Sequence, residues 1–180
     1  MKTARAGFSL IEVIMAMIVI SVSIAALTPL VGLVSRSADP MLVKQAESAA
    51  EALMDEVRLA GFTWCDPADA NFDTATAAAG CASVPEGVGP EAGNTRPYDN
   101  VNDYNVYCSS AMNPITDIAG TSTTLLSGFS ATVCVTPYAI DLSTSAPITT
   151  AAALRIVVTV SNANTSFTLT GWRTRYAPNS

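Results

Sequence analysis

Three regimes of hydrophobic patterning divide the chain. From Val13 to Ser35 no residue is charged, and Val, Ile, Leu, Met and Ala occupy every side of a helix drawn through them. At a rise of about 1.5 Å per residue, the run is long enough to cross a hydrocarbon core of about 30 Å. Beyond it the spacing changes. Leu42, Ala46, Ala49, Leu53, Val57 and Ala60 recur at steps of four and three, while Lys44, Gln45, Glu47, Ser48, Glu51, Asp55 and Arg58 fall elsewhere on the wheel. This predicts an amphipathic helix with one face to a core. Together the two regimes predict one long helix from Phe8 to about Phe62. Pro29 and Asp39-Pro40 are its expected bends and Gly61 its expected stop.

The third regime is alternation. In Leu125 to Thr136, Phe129, Ala131, Val133 and Val135 share one face, and Ser130, Thr132 and Cys134 the other. Leu154 to Ser161 is rich in Val and Ile, and Ser166 to Arg175 sets Phe167 and Leu169 opposite Thr168 and Thr170. Asn162-Ala163-Asn164 between them is a hairpin signal, and Asn105 to Cys108 reads as a further short strand. The fold class is α+β: a long N-terminal helix with an antiparallel sheet of about three or four strands packed on its distal half. Between helix and sheet, Thr63 to Val101 lacks periodicity and carries the turn-prone Pro85-Glu86-Gly87-Val88-Gly89-Pro90. So long a loop needs an internal tie.

Composition narrows the functions open to such a chain. It has 180 residues, so the part beyond the apolar helix suffices for one modest core. The net charge is −6, which argues against nucleic acid and against anionic lipid surfaces as partners. No histidine is present, which removes the commonest general base and metal ligand. No Gly-x-Ser-x-Gly elbow occurs either, and enzyme is the weakest class. Cys65, Cys81, Cys108 and Cys134 all follow the apolar helix, where an oxidising compartment makes disulfides the expectation. Three pairings are open. Cys65–Cys81 with Cys108–Cys134 is favoured because each bond then ties neighbouring segments, and the first would close the long loop.

The N-terminus is the most specific stretch. Met1 to Gly7 carries Lys2 and Arg5, and Phe8-Ser9-Leu10-Ile11-Glu12-Val13 leads straight into the apolar run. A secretory signal peptide places its cleavage site after the apolar core, whereas here the suitable glycine precedes it. The combination resembles the class III leader of type IV prepilins and of type II secretion pseudopilins. Asp39-Pro40, Ala50 to Val57, Tyr98 to Tyr104 and Leu169-Thr170-Gly171-Trp172-Arg173 further resemble the MshD minor pilins of the mannose-sensitive haemagglutinin (MSHA) pilus of Gram-negative bacteria. Minor pseudopilins are the near alternative. The likeness is close from Phe8 to Val57 and patchy afterwards, and the Cys65/Cys81 loop has no counterpart in it.

That resemblance implies a domain plan and a set of roles. Residues 1–7 would be the leader, 8–35 the transmembrane and filament-core helix, and 36–62 the amphipathic half. Residues 63–180 would form the head, with a variable loop at 63–101 and the sheet at 104–175. Prepilin peptidase would cut between Gly7 and Phe8 and N-methylate Phe8. Glu12 would attract the free amine of a neighbouring subunit, and Pro29 would allow curvature during assembly. The implied partners are other pilin subunits through the helix, the peptidase, an inner-membrane assembly platform and its cytoplasmic ATPase. Lys2 and Arg5 place the N-terminus in the cytoplasm and the head in the periplasm, then on a pilus at the cell surface. No cofactor is implied. Asp99, Asn102 and Asp103 offer oxygen ligands for calcium, but Asx-rich segments build turns without metal, and the turn is the favoured reading. Trp64 and Trp172 are candidates for a sugar-stacking surface, should the protein be a tip adhesin.

Overall fold

The computed structural model describes residues 7, 9–36, 40–140 and 148–175. The chain divides into two units, Met1–Asp39 and Pro40–Ser180, each taken by itself below.

The first unit is helix α1, Leu10–Arg36, whose backbone stays helical through Pro29. Its stretch Leu10–Leu27 has a mean hydropathy of 2.6, none of it buried, and is long and apolar enough to cross a membrane. The hydroxyls in this stretch turn back on the helix. Ser21 donates to the carbonyls of Met17 and Ile18, and Ser23 to that of Val19 at 2.7 Å. Apolar surroundings offer no water for these groups, so the i−4 carbonyl satisfies them at little cost.

The second unit begins with α2, Pro40–Leu59. Proline suits the first helical position, where its missing N–H has no partner to lose. Ala46, Ala49, Ala50, Leu53, Met54 and Val57 are buried. The continuous helix expected from Phe8 to Phe62 is described as two segments, because residues 37–39, Asp39 among them, lie outside the described residues. α2 also stops short of Gly61. That glycine is not a left-handed cap: its N–H donates to the Asp99 carbonyl at 2.8 Å, and a Cβ there would sit 3.0 Å from that same oxygen. Gly61 serves close backbone approach, forming a parallel bridge with Asn100.

Three strands follow in a meander: β1 Ser130–Pro137, β2 Ala153–Ser161 and β3 Ser166–Thr174, paired antiparallel in the order β1-β2-β3. The register runs from Ser130↔Ser161 to Pro137↔Leu154, and from Ala153↔Thr174 to Ser161↔Ser166. Asn162 closes the hairpin by accepting the N–H groups of Asn164 and Thr165. The inward residues Ala131, Val133, Val135, Leu154, Ile156, Val158 and Val160 join the α2 face in one core. Gly171 is the inward residue of β3 where α2 comes nearest. A Cβ there would lie 2.8 Å from Met54 Sδ, so a larger residue would have to displace the end of the Met54 side chain.

The segment expected to be a strand, Asn105 to Cys108, is helical instead. A 3-10 turn over Val101–Asn105 runs into the single turn α3, Val106–Ser109. Val106 and Tyr107 have strand propensity, but Asn100 accepts the Asn102 N–H and pairs with Asp103 in a capping box, which starts a helical turn. The segment lies along the outer edge of β1: Asn105 Oδ1 accepts the Val135 N–H, and Met112 exchanges both backbone hydrogen bonds with Ala131. Leu125 and Leu126 similarly belong to a 3-10 turn before β1 rather than to the strand.

Candidate functional site

The N-terminus of α1 is built by Ser9 and Glu12. Ser9 caps the helix: its Oγ accepts the Glu12 N–H at 3.3 Å, and its carbonyl accepts the N–H groups of Glu12 and Val13. Ser9-Leu10-Ile11-Glu12 has the Ser-x-x-Glu spacing of a capping box, a signal of the helix start carried by the sequence itself. Glu12 therefore lies in the first helical turn, where the helix dipole favours a carboxylate. Around it the surface is apolar, with Leu10 79% and Ile11 66% exposed. Gly7 just precedes this cap. Nothing among the described residues lies within 4 Å of where its Cβ would be. Phe8 and the leader residues 1–6 lie outside the described residues, as does the side chain of Pro29.

In the second unit the structure joins Cys65 to Cys81 and Cys108 to Cys134, leaving no free cysteine. Cys65–Cys81 is not the only tie in the long loop. Asp69 is buried and accepts the backbone N–H groups of Asn71, Ala82, Ser83 and Val84 at 2.7–2.9 Å. Those N–H groups, led by Val84, hold its carboxyl far below the usual carboxylate range. Its contact with Asn71 is a local turn, but the other three partners lie 13–15 residues away, so the sequence does not mark Asp69 as the loop's anchor.

A second tie reaches α2. Arg96 forms a two-pronged ion pair with Glu56, Nε to Oε1 at 2.8 Å and Nη2 to Oε2 at 2.6 Å. Tyr104 donates its hydroxyl to Glu56 Oε1 at 2.8 Å, and Arg96 Nη1 donates to the Thr116 carbonyl at 2.9 Å. One wall of an apolar groove of about 630 Å³ is formed by this network together with Leu53, Leu59, Ile115 and Ile118.

Carboxylates gather where the loop meets the capped turn. Oxygens of Asp66, Glu86 and Glu91 lie within 4.8 Å of one another, and so do those of Glu91, Asp99 and Asp103. Burial, reinforced by the charge of Asp103, pushes the Glu86 carboxyl up to about 8. Burial, then the charge of Glu91, likewise moves Asp103 upward. Of the calcium candidates read from the sequence, Asp99 and Asp103 are brought together. Asn102 commits its backbone to the turn, its N–H to Asn100 Oδ1 and its carbonyl to the Gly89 N–H.

The aromatic candidates for sugar stacking are differently engaged. The Arg175 guanidinium lies 3.9 Å from the Phe62 ring centre and 3.8 Å from that of Trp64, and donates to the Phe62 carbonyl. One face of Trp64 is thereby occupied. Trp172 stands exposed on β3, opposite Arg155 of β2.

Comparison with known proteins bears on the N-terminus. Residues 2–28 match the family described as the prokaryotic N-terminal methylation motif. No curated protein and no solved structure matches the chain. The motif supports the type IV pilin and pseudopilin superfamily, and it fits a membrane-anchored structural subunit. The narrower likeness to MSHA minor pilins has no such support.

Proposed function

We propose that this chain is a minor subunit of a type IV pilin-like filament of the MSHA kind, processed by prepilin peptidase and serving surface attachment. The observation that carries the reading is the methylation motif over residues 2–28, which contains the exposed apolar stretch Leu10–Leu27. The positive residues Lys2 and Arg5 would stay in the cytoplasm while the second unit folds and forms its disulfides in the periplasm. Cleavage between Gly7 and Phe8 leaves an amine on Phe8, four residues before Glu12 in the sequence. An uncompensated carboxylate is costly at the edge of a hydrocarbon core, and the amine of a neighbouring copy neutralises it. Charge pairing of this kind sets the axial register of one α1 against the next and explains why cleavage precedes assembly. Other pilin subunits then pack through the apolar stripe of α1, drawn from the membrane by the assembly platform.

Gly7 supports the same account from the opposite direction. Among the described residues no contact requires a glycine there. A requirement for one would come from an external enzyme that reads the backbone closely. The test uses two variants expressed in the native host. Gly7→Ala is expected to accumulate at precursor mass and to be missing from sheared surface filaments. Glu12→Val is expected to be cut at the normal site yet fail to enter filaments. Incorporation of the Glu12→Val protein at the parental level would refute the role given to that carboxylate.

A further inference from the structure

We infer that the loop-to-turn junction of the second unit binds one calcium ion through Glu91, Asp99 and Asp103. Asp103 is fully buried, at 0% exposure, and its Oδ1 has no hydrogen-bond donor. Its other oxygen accepts only the Asn100 N–H, at 3.3 Å. The side chain it meets across the junction is Asp99, an acceptor like itself, so the contact holds only with a proton or a cation between the two carboxyls. Nearby, both oxygens of Glu86 are also buried without a partner. Buried acceptors left bare cost about 1–3 kcal/mol each, more when charged. Native folds seldom leave several of them side by side unless something fills the gap.

The donor set selects the ion. Every candidate ligand is a carboxylate oxygen, the chain has no histidine, and all its cysteines are in disulfides. All-oxygen sites favour hard cations. Two oxygens on one calcium, at about 2.3–2.6 Å each, can be at most about 5 Å apart, and the oxygens of Glu91, Asp99 and Asp103 satisfy that limit. Glu91, shared with Asp66 and Glu86, would extend the ion's field to the second carboxylate group. Among the described residues, Arg175 is a cation that interacts with Glu86 of this region. It is held by the Phe62 carbonyl and two rings, and burial lowers its affinity for its proton to a value of about 10. It acts on Glu86 at longer range and forms no ion pair with it among the described residues.

The fold places these ligands where a cation would matter. Asp103 belongs to the capped turn, Asp99 to the bridge with Gly61 that ends α2, and Glu91 to the loop. An ion shared by all three would staple the loop to helix and sheet. The existing contacts of the two accessible ligands are weak and replaceable: Asn94 Nδ2 donates to Asp99 Oδ1 at 3.1 Å and to Glu91 Oε2 at 3.4 Å. Glu91→Gln and Asp99→Asn therefore remove charge without removing a core contact.

The experiment uses the full chain in detergent, stripped with chelator and titrated with calcium by calorimetry, with thermal unfolding measured in parallel. One calcium per chain is expected, with a dissociation constant of about 10⁻⁴–10⁻³ M, as for extracellular modules, and a melting temperature that rises with calcium. Glu91→Gln and Asp99→Asn should each weaken binding by about tenfold or more, equivalent to about 1.4 kcal/mol, while the calcium-free melting temperature holds or rises because each change removes one of several crowded negative charges. Asp103→Asn is the less direct variant, because Asp103 also caps the turn. Absence of heat and of any thermal shift up to about 10 mM calcium would overturn the inference. So would undiminished binding in the Glu91→Gln, Asp99→Asn double variant, and in either case the cluster is relieved by protons instead.

Discussion

Removing Arg96 tests how the loop is fastened to α2. The guanidinium is 8% exposed and its partner Glu56 13%, so solvent screens neither charge well. Arg96→Met keeps the stem and deletes every donor to Glu56 and to Thr116. Glu56 is then left with the Tyr104 hydroxyl as its one donor among the contacts described. Breaking a buried pair from one side costs about 3–5 kcal/mol, because a charge stays behind unpaired. Total stability for a domain of this size is of order 5–15 kcal/mol, so the loss is a large share of it. The melting temperature should fall by about 10–20 °C, taking roughly 3–5 °C per kcal/mol for this size. Denaturant unfolding of the full chain in detergent provides the energies. Pairing Arg96→Met with Glu56→Met should recover more than half of the loss, since two apolar side chains of similar volume can replace a buried ion pair. A loss below about 1 kcal/mol for Arg96→Met would refute the reasoning and make the pair equivalent to a surface salt bridge.

Two further predictions concern the same loop. Replacing Cys65 and Cys81 together by serine opens a loop with a sequence separation of 16 and should cost about 3 kcal/mol, read as a lower denaturation midpoint. Asp69 sets an acid limit. Its folded carboxyl is held below the unfolded value of about 3.9, so its contribution is fully present above about pH 4 and is lost as pH falls further. Asp69→Asn should therefore lower the melting temperature at neutral pH and flatten its decline between about pH 4 and pH 2. Parallel acid curves for parent and variant would contradict that role.

What the sequence made legible follows its periodicity. The α2 face was readable because Ala46, Ala49, Leu53 and Val57 repeat at helical spacing, and all are buried in the core. The alternation of Ala131, Val133 and Val135 likewise foretold the inward face of β1. Asn105 to Cys108 misled because propensity was read without the cap: Asn100 and Asp103 decide that segment before Val106 is reached. Gly61 was read as a helix stop, but its reason, a carbonyl of Asp99 at its Cβ position, is tertiary and invisible in one dimension. The carboxylate cluster was half visible. Asp99 and Asp103 are neighbours in sequence, while Asp66, Glu86 and Glu91 arrive through the folding of an aperiodic loop around Asp69 and a disulfide.

The central claim, that the chain is a processed filament subunit, is tested most directly by its own N-terminus. Intact mass and N-terminal sequencing of the protein recovered from membranes and sheared surface material would settle it. The account predicts a chain beginning at N-methylated Phe8, lighter by the hydrogens lost to two disulfides. A chain still beginning at Met1, or one cut beyond Ala26, would contradict it.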